Sequence, residues 1–204
     1  NMLPPAIALF SSLLKERGHK VDLFDATYYQ TNHGINSDGT KAERLNVVPF
    51  NLGEKGIKMR DADWRVDIIE KVQSFEPDLI ALSTTEDMWL LGVRLLEEMG
   101  GYITRHKIPV IAGGVFPTFA PDLVIKHRLV DMVCVGEGEN SLVDLCERLD
   151  KGDSYSDVTN LWVKQKDGSI IKNSISNPFD IDQTLMIDTG LFKEQRFYRP
   201  MAGK

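Results

Sequence analysis

Three short stretches place small, hydroxyl-bearing or acidic residues directly after apolar runs. They are Ser83-Thr84-Thr85-Glu86, Gly113-Gly114-Val115-Phe116-Pro117-Thr118 and Gly136-Glu137-Gly138-Glu139. The chemistry open to these residues is binding rather than bond-making. Hydroxyls at Ser83, Thr84 and Thr85 can hydrogen-bond a ligand, although Ser and Thr in such places also cap a following helix. The Gly113-Gly114 pair removes two Cβ atoms and permits positive φ where something must pass close to the backbone. A tight strand-to-helix turn accounts for one glycine better than for two. Gly136 and Gly138 have the spacing of a dinucleotide fingerprint, but Ser141 stands where its third glycine belongs. Glu137 and Glu139 suit a helix N-terminus and would repel a pyrophosphate. A neutral ligand held by amides and hydroxyls fits better; the competing reading is that both glutamates only satisfy backbone donors.

Other chemistries lack their residues. His19, His33, His106 and His127 fall on different elements without metal-ligand spacing. Cys134, on an apolar run, and Cys146, in a helical pattern, read as core thiols, and two cysteines make no disulfide framework. A phospho-acceptor receiver needs an acidic cluster that Asp25 alone does not supply. The 204 residues carry 30 acids against 24 bases, a net charge of -6, which argues against nucleic-acid binding through phosphate neutralisation. No apolar run approaches the ~20 residues that span a bilayer, and no signal-peptide pattern opens the sequence. A cytoplasmic location is the expectation.

The elements that must position these stretches follow from periodicity. Pro4 and Pro5 lead into a helix with apolar residues at helical spacing, closed by Gly18. A short strand at 21–25 is expected next. Helices near 64–75, 87–105, 121–127 and 140–149 then alternate with strands near 78–83, 109–112 and 130–135. Strands of four to six apolar residues alternating with helices mean βαβ units. The fold class is α/β: a doubly wound, Rossmann- or flavodoxin-like, mainly parallel sheet with helices on both faces. Strands and helices come in pairs in such folds, so a chain starting on a helix lacks its first strand. That strand is central in the order 2-1-3-4-5, and its loss leaves a gap between 21–25 and 78–83. Either those strands pair directly or another chain fills the edge, as in a homodimer. Residues 1–152 form the main unit, with a polar insertion at about 26–63. In 153–204, Asp167-Gly168 marks a β-hairpin, followed by a linker-like tail.

Taken together, these motifs resemble the N-terminal cobalamin-binding domain of the B12-binding radical SAM enzymes. The matching pieces are Leu3-Pro4-Pro5-Ala6 before the helix ending Glu16-Arg17-Gly18-His19, and Pro77-Asp78-Leu79-Ile80 leading to Ser83-Thr84-Thr85. Pro109-Val110-Ile111-Ala112-Gly113-Gly114, Val130-Asp131 leading to Gly136-Glu137-Gly138-Glu139, and Pro178-Phe179-Asp180 complete the match. The resemblance covers about 3–180.

It implies cobalamin over the carboxyl ends of the strands, its tail near Ser83, Thr84, Thr85, Gly113 and Gly114. Glu86, Val115 to Thr118 and Gly136 to Glu139 would border the corrin. Bulky replacements at Gly113 or Gly114 should then abolish binding and leave the fold intact. In the family a radical SAM domain follows, with a 4Fe-4S cluster on Cys-x3-Cys-x2-Cys and S-adenosylmethionine. That motif is absent from this sequence, so the radical chemistry and the small-molecule substrate would belong to a downstream domain. The Asp-x-His-x-x-Gly motif that supplies imidazole to cobalt in mutases and methionine synthases is also absent, which implies base-off binding without a protein histidine. Methyl transfer to an unactivated carbon is the leading reaction. A degenerate domain that binds no cofactor and serves docking or substrate gating is the alternative, and a nucleotide-dehydrogenase domain a weaker one.

Overall fold

A computed structural model describes residues 3–29, 52–56, 59–183 and 185–197. Most of the expected insertion and the last residues of the tail lie outside them, His33 included. Helix α1 spans Pro5–Glu16, with proline in its first turn and Lys15 in its last, both favourable at those ends. Helix α2 (Trp64–Phe75) opens on Asp63, whose carboxylate accepts the Arg65 N–H, an N-cap of the usual kind. Then follow β1 (Ile80–Ser83), α3 (Trp89–His106), β2 (Val110–Gly113), α4 (Val115–Phe119), α5 (Pro121–Val124), β3 (Met132–Cys134) and α6 (Glu139–Lys151). Strands β4 (Leu161–Lys164) and β5 (Ile170–Lys172) form the expected hairpin. Its turn places Gly168 at φ +85°, and Asp167 accepts the Ser169 N–H.

The five strands lie in chain order. β1, β2 and β3 are parallel, with Ala81 opposite Ile111 and Ile111 opposite Met132; β4 joins β3 antiparallel, and β5 joins β4. Successive residues of β2 face opposite layers, as a pleated strand requires. Val110 and Ala112 pack into a core with Trp64, Ile68, Leu96, Met99 and Val133. Ile111 packs on the other side with Leu14, Met132, Leu142 and Leu145. The result is three layers, with α2, α3 and α5 on one face and α1 and α6 on the other. Each fully buried Leu, Ile or Val stabilises this arrangement by about 1.5–3 kcal/mol.

Two expectations are corrected. Residues 21–25 lie in no strand. Val21, Asp22 and Leu23 line one cavity with Ala81, Leu82 and Ser83 of the edge strand β1, and among the described residues β1 pairs with β2 alone. Neighbouring strands must lie about 4.8 Å apart to pair, so direct pairing across the gap does not occur. The turn after Gly114 is itself helical, and the helix expected at 121–127 ends at Val124.

At the amino ends of the strands, Asp131 accepts the Val110 N–H at 2.9 Å and Lys164 donates to the carbonyls of His127 and Val130. Burial pushes the Asp131 carboxyl up and the Lys164 ammonium down. These groups close the end of the sheet opposite the three motif-bearing stretches.

Candidate functional site

A cavity of about 460 Å³ opens at the carboxyl ends of β1, β2 and β3, roofed by α1 and bounded by the first turn of α6. In open α/β sheets this is where ligands bind. Its walls are mostly apolar, with Phe10, Leu14, Ile111 and Leu142 among them, and among the described residues none of its lining groups is a lysine, arginine or histidine.

The sequence-predicted residues divide into two sets. Ser83, Gly113, Gly114, Val115, Thr118, Gly136, Glu137, Gly138 and Glu139 line the cavity together. Thr84, Thr85, Glu86, Phe116 and Pro117 do not. Thr84 is buried and acts through its backbone: its N–H donates to the Gly113 carbonyl at 3.0 Å and its carbonyl accepts the Phe116 N–H. Thr85 opens a short 3-10 turn, its carbonyl accepting the Met88 N–H and its hydroxyl bonding to Asp87. Phe116 turns into the core against Trp89, with ring centroids 5.5 Å apart, and Pro117 is fully buried. Phe119, one residue beyond the expected stretch, lines the cavity while 84% exposed. Helical spacing from Val115 would have found it, had α4 been recognised.

The two central glycines have different reasons. Gly113 follows Ile111 on the same face of β2, so its missing Cβ leaves space in the cavity. A Cβ there would meet only the Cys134 Cβ, at an ordinary 3.6 Å. Gly114 has φ +100°, and a Cβ would lie 2.8 Å from the Thr84 carbonyl oxygen and 3.0 Å from its nitrogen. Replacement at Gly114 therefore strains the backbone, and the expectation of an intact fold holds on geometry only for Gly113. Gly138 is small because Phe10 of α1 packs on it; a Cβ would come within 3.0 Å of the ring.

The turn 136–139 is held from behind. The Gly136 N–H donates to the Thr118 hydroxyl at 3.1 Å, and the Val135 N–H donates to the Asn160 carbonyl at 2.8 Å. The Glu137 carbonyl accepts the Asn160 side-chain amide at 2.7 Å, and its carboxylate accepts the Phe179 N–H. Asn160, which sequence reasoning missed, is 2% exposed at φ +67°; its amide also reaches the Ser176 hydroxyl and accepts the Ser176 N–H. Asn is among the few residues that adopt this conformation readily, and that was the available signal. From Ser176 the chain crosses to α1, where Asp188 accepts from Ser11 and Lys15, each at 2.6 Å. Those hydrogen bonds hold the Asp188 carboxyl below the usual range.

The Cys134 thiol lies at the cavity floor, pushed up to about 12 by burial and then by the Glu139 carboxylate. It is a neutral wall, not a nucleophile. Of the described histidines, His19 lies by Asp150, His106 stacks on Tyr102, and His127 sits edge-on to Trp89. No group of three metal-ligating side chains occurs among the described residues, and no described helix is long and apolar enough to cross a membrane.

Fold and cavity together define a Rossmann-like α/β module with its pocket at the strand carboxyl ends. The B12-binding domain model matches residues 45–146, half of the 204 residues, and the chain belongs to that family. An uncharacterised methyltransferase of Pyrococcus horikoshii, PH0819, is 25% identical over 113 residues, which is 55% of this chain and 24% of that protein. The cobalamin-dependent S-adenosylmethionine radical enzyme OxsB, solved with aqua-cobalamin and S-adenosylmethionine bound, superposes with TM-score 0.61 at 21% identity, covering 87% of this chain and 20% of OxsB. The radical S-adenosylmethionine methyltransferase TsrM from Kitasatospora setae, solved with tryptophan and a SAM analogue, gives TM-score 0.58 at 16% identity over 85% of this chain and 28% of TsrM. The chain therefore spans 20–28% of the length of the relatives named. These superpositions confirm the α/β fold.

Proposed function

We propose that this chain is the corrinoid-holding module of a radical SAM enzyme, with the cofactor's tail entering the cavity at the strand carboxyl ends. The observation that carries the reading is the cavity itself: apolar walls, a glycine floor at Gly113, and acceptors but no cation among the described residues. The residues fit a corrinoid, which is apolar on its faces and edged by neutral amides. The cradle at Gly113 is one that a side chain would fill.

Each residue has its part. Gly113 leaves room, Ser83 offers a hydroxyl, Val115 and Phe119 offer apolar surface at the rim, and Cys134 keeps the floor neutral. The bond from Gly136 to Thr118 and the Asn160 amide fix the turn that borders the mouth. A bound methyl-corrinoid would supply the methyl group for transfer to carbon. The substrate, the 4Fe-4S cluster and S-adenosylmethionine would belong to a downstream radical domain. In this reading the tail would enter the cavity rather than cap the metal, so binding would be base-off and without a protein imidazole.

Electron paramagnetic resonance of the cob(II)alamin-loaded chain tests this. A spectrum without axial nitrogen splitting, unchanged in H19A, H33A, H106A and H127A variants, is expected. Axial nitrogen splitting, whether lost in one of those variants or kept in all, or failure to load, would overturn the proposal.

A further inference from the structure

The cavity has a roof that the sheet does not hold. Ala6, Ile7, Phe10, Ser11 and Leu14 of α1 line it together with Ser83, Gly113 and Gly138. Leu14 anchors α1 in the core with Leu142 and Leu145 of α6. The segment 21–25, which also borders the cavity, lies in no strand, so no ladder ties that edge down. The C-terminal tail fastens both. The Asp188 N–H donates to the Ala8 carbonyl at 3.0 Å, and the Asp188 carboxylate accepts from Ser11 and Lys15, each at 2.6 Å. The Ser12 hydroxyl donates to the Met186 carbonyl at 2.7 Å. Further along, Phe192 is buried, and the Arg196 guanidinium, itself 11% exposed, lies 2.9 Å from the Asp25 carboxylate. Between these points Leu191 lines the cavity itself.

We infer that residues 186–196 are a strap that controls entry to and exit from the cavity by holding α1 down over its occupant. The inference rests on the corrinoid reading for its ligand and adds how that ligand is exchanged. Asp188 and Ser12 fasten the strap, and neither lines the cavity. Loosening them changes how often the roof opens and leaves the contacts to the ligand in place. An opening step that precedes both binding and release raises both rates by one factor, so the dissociation constant stays the same.

The 204-residue chain loaded with radiolabelled hydroxocobalamin, chased with excess unlabelled cofactor and desalted at intervals, reads the release rate; loading is timed in the same way. In Asp188→Ala, losing the charged bonds to Ser11 and Lys15 should speed loading and release alike by about tenfold. Ser12→Ala loses one neutral bond and should speed both by about threefold. Rates equal to the wild type, or faster release with unchanged loading, would overturn the inference and leave the corrinoid reading standing. A wild type that never loads overturns both. Hydrogen exchange of the ligand-free chain separates a loosened roof from general unfolding: α1 amides should exchange faster in Asp188→Ala, while those of β2 and β3 keep their protection. Unchanged exchange in α1 overturns the strap. Should Asp188→Ala lose protection in β2 and β3 as well, Ser12→Ala decides, and wild-type rates in that variant overturn the strap.

Discussion

Replacing Gly113 by leucine and Gly114 by alanine should separate binding from folding at adjacent positions. The Gly113 backbone has no positive φ, and a Cβ there makes one ordinary contact, 3.6 Å from the Cys134 Cβ. A leucine continues from that Cβ into the cavity of about 460 Å³. It places apolar atoms against apolar walls, so its effect on stability should stay within about 1 kcal/mol. The corrinoid tail would compete for the same space, and the dissociation constant should rise at least about a hundredfold, or about 2.8 kcal/mol. Gly114→Ala behaves in the opposite way. Its φ of +100° and the 2.8 Å approach to the Thr84 carbonyl cannot relax easily, because Thr84 is pinned through its N–H to Gly113 and through its carbonyl to Phe116. Conformational strain of about 1–3 kcal/mol and overpacking of about 1–3 kcal/mol combine to about 2–6 kcal/mol. At about 2–4 °C per kcal/mol for a chain of this size, the melting temperature should fall by roughly 5–20 °C. Thermal melts by circular dichroism, paired with hydroxocobalamin titration, read both quantities. A Gly113→Leu protein that loads corrinoid like the wild type, or a Gly114→Ala protein that melts with it, would refute the reasoning.

Asn160→Ala should cost about 2–4 kcal/mol, from three side-chain hydrogen bonds near 1 kcal/mol each and a left-handed conformation that alanine resists; urea denaturation measures this, and Asn160→Gly should recover about 1 kcal/mol. Asp188 has its carboxyl held below the ordinary range by Lys15 and Ser11. Its stabilisation is therefore present above the unfolded carboxylate range and lost as pH falls through the lower folded value; Asp188→Asn should reduce the acid sensitivity of the melting temperature between about pH 5 and 2, and an unchanged profile would count against the clasp. Cys134, pushed up to about 12, and Cys146, pushed up to about 11, should alkylate at pH 8 at least about a hundredfold more slowly than a free thiol, as timed iodoacetamide labelling of the native chain would measure.

Much of the three-layer fold was legible because apolar runs and helical periodicity report burial locally. The strands at 80–83, 110–113 and 132–134, and the helices packed on them, needed no distant information. The segment 21–25 misled for the complementary reason. Its alternation of Val21, Leu23 and polar neighbours is that of a strand, but a strand exists only where a neighbour supplies the ladder, and the place beside β1 is a cavity. At the site, backbone freedom was legible at Gly113 and Gly114, but not which glycine faced a ligand and which faced Thr84. That distinction depends on the pleat of β2 and on a φ value. Thr85 and Phe116 were placed by contacts with Asp87 and Trp89 that depend on how the turns close. Asn160 was hidden because its partners Glu137 and Ser176 are 23 and 16 positions away.

The decisive measurement is retention of cofactor by the purified chain. The protein is mixed with hydroxocobalamin, desalted, and its visible spectrum recorded beside far-UV circular dichroism. Stoichiometric corrinoid with a base-off spectrum on a folded wild type, lost in folded Gly113→Leu, is the expected result. A colourless wild type with the circular dichroism of a folded α/β protein would contradict a corrinoid site at the carboxyl ends of these strands.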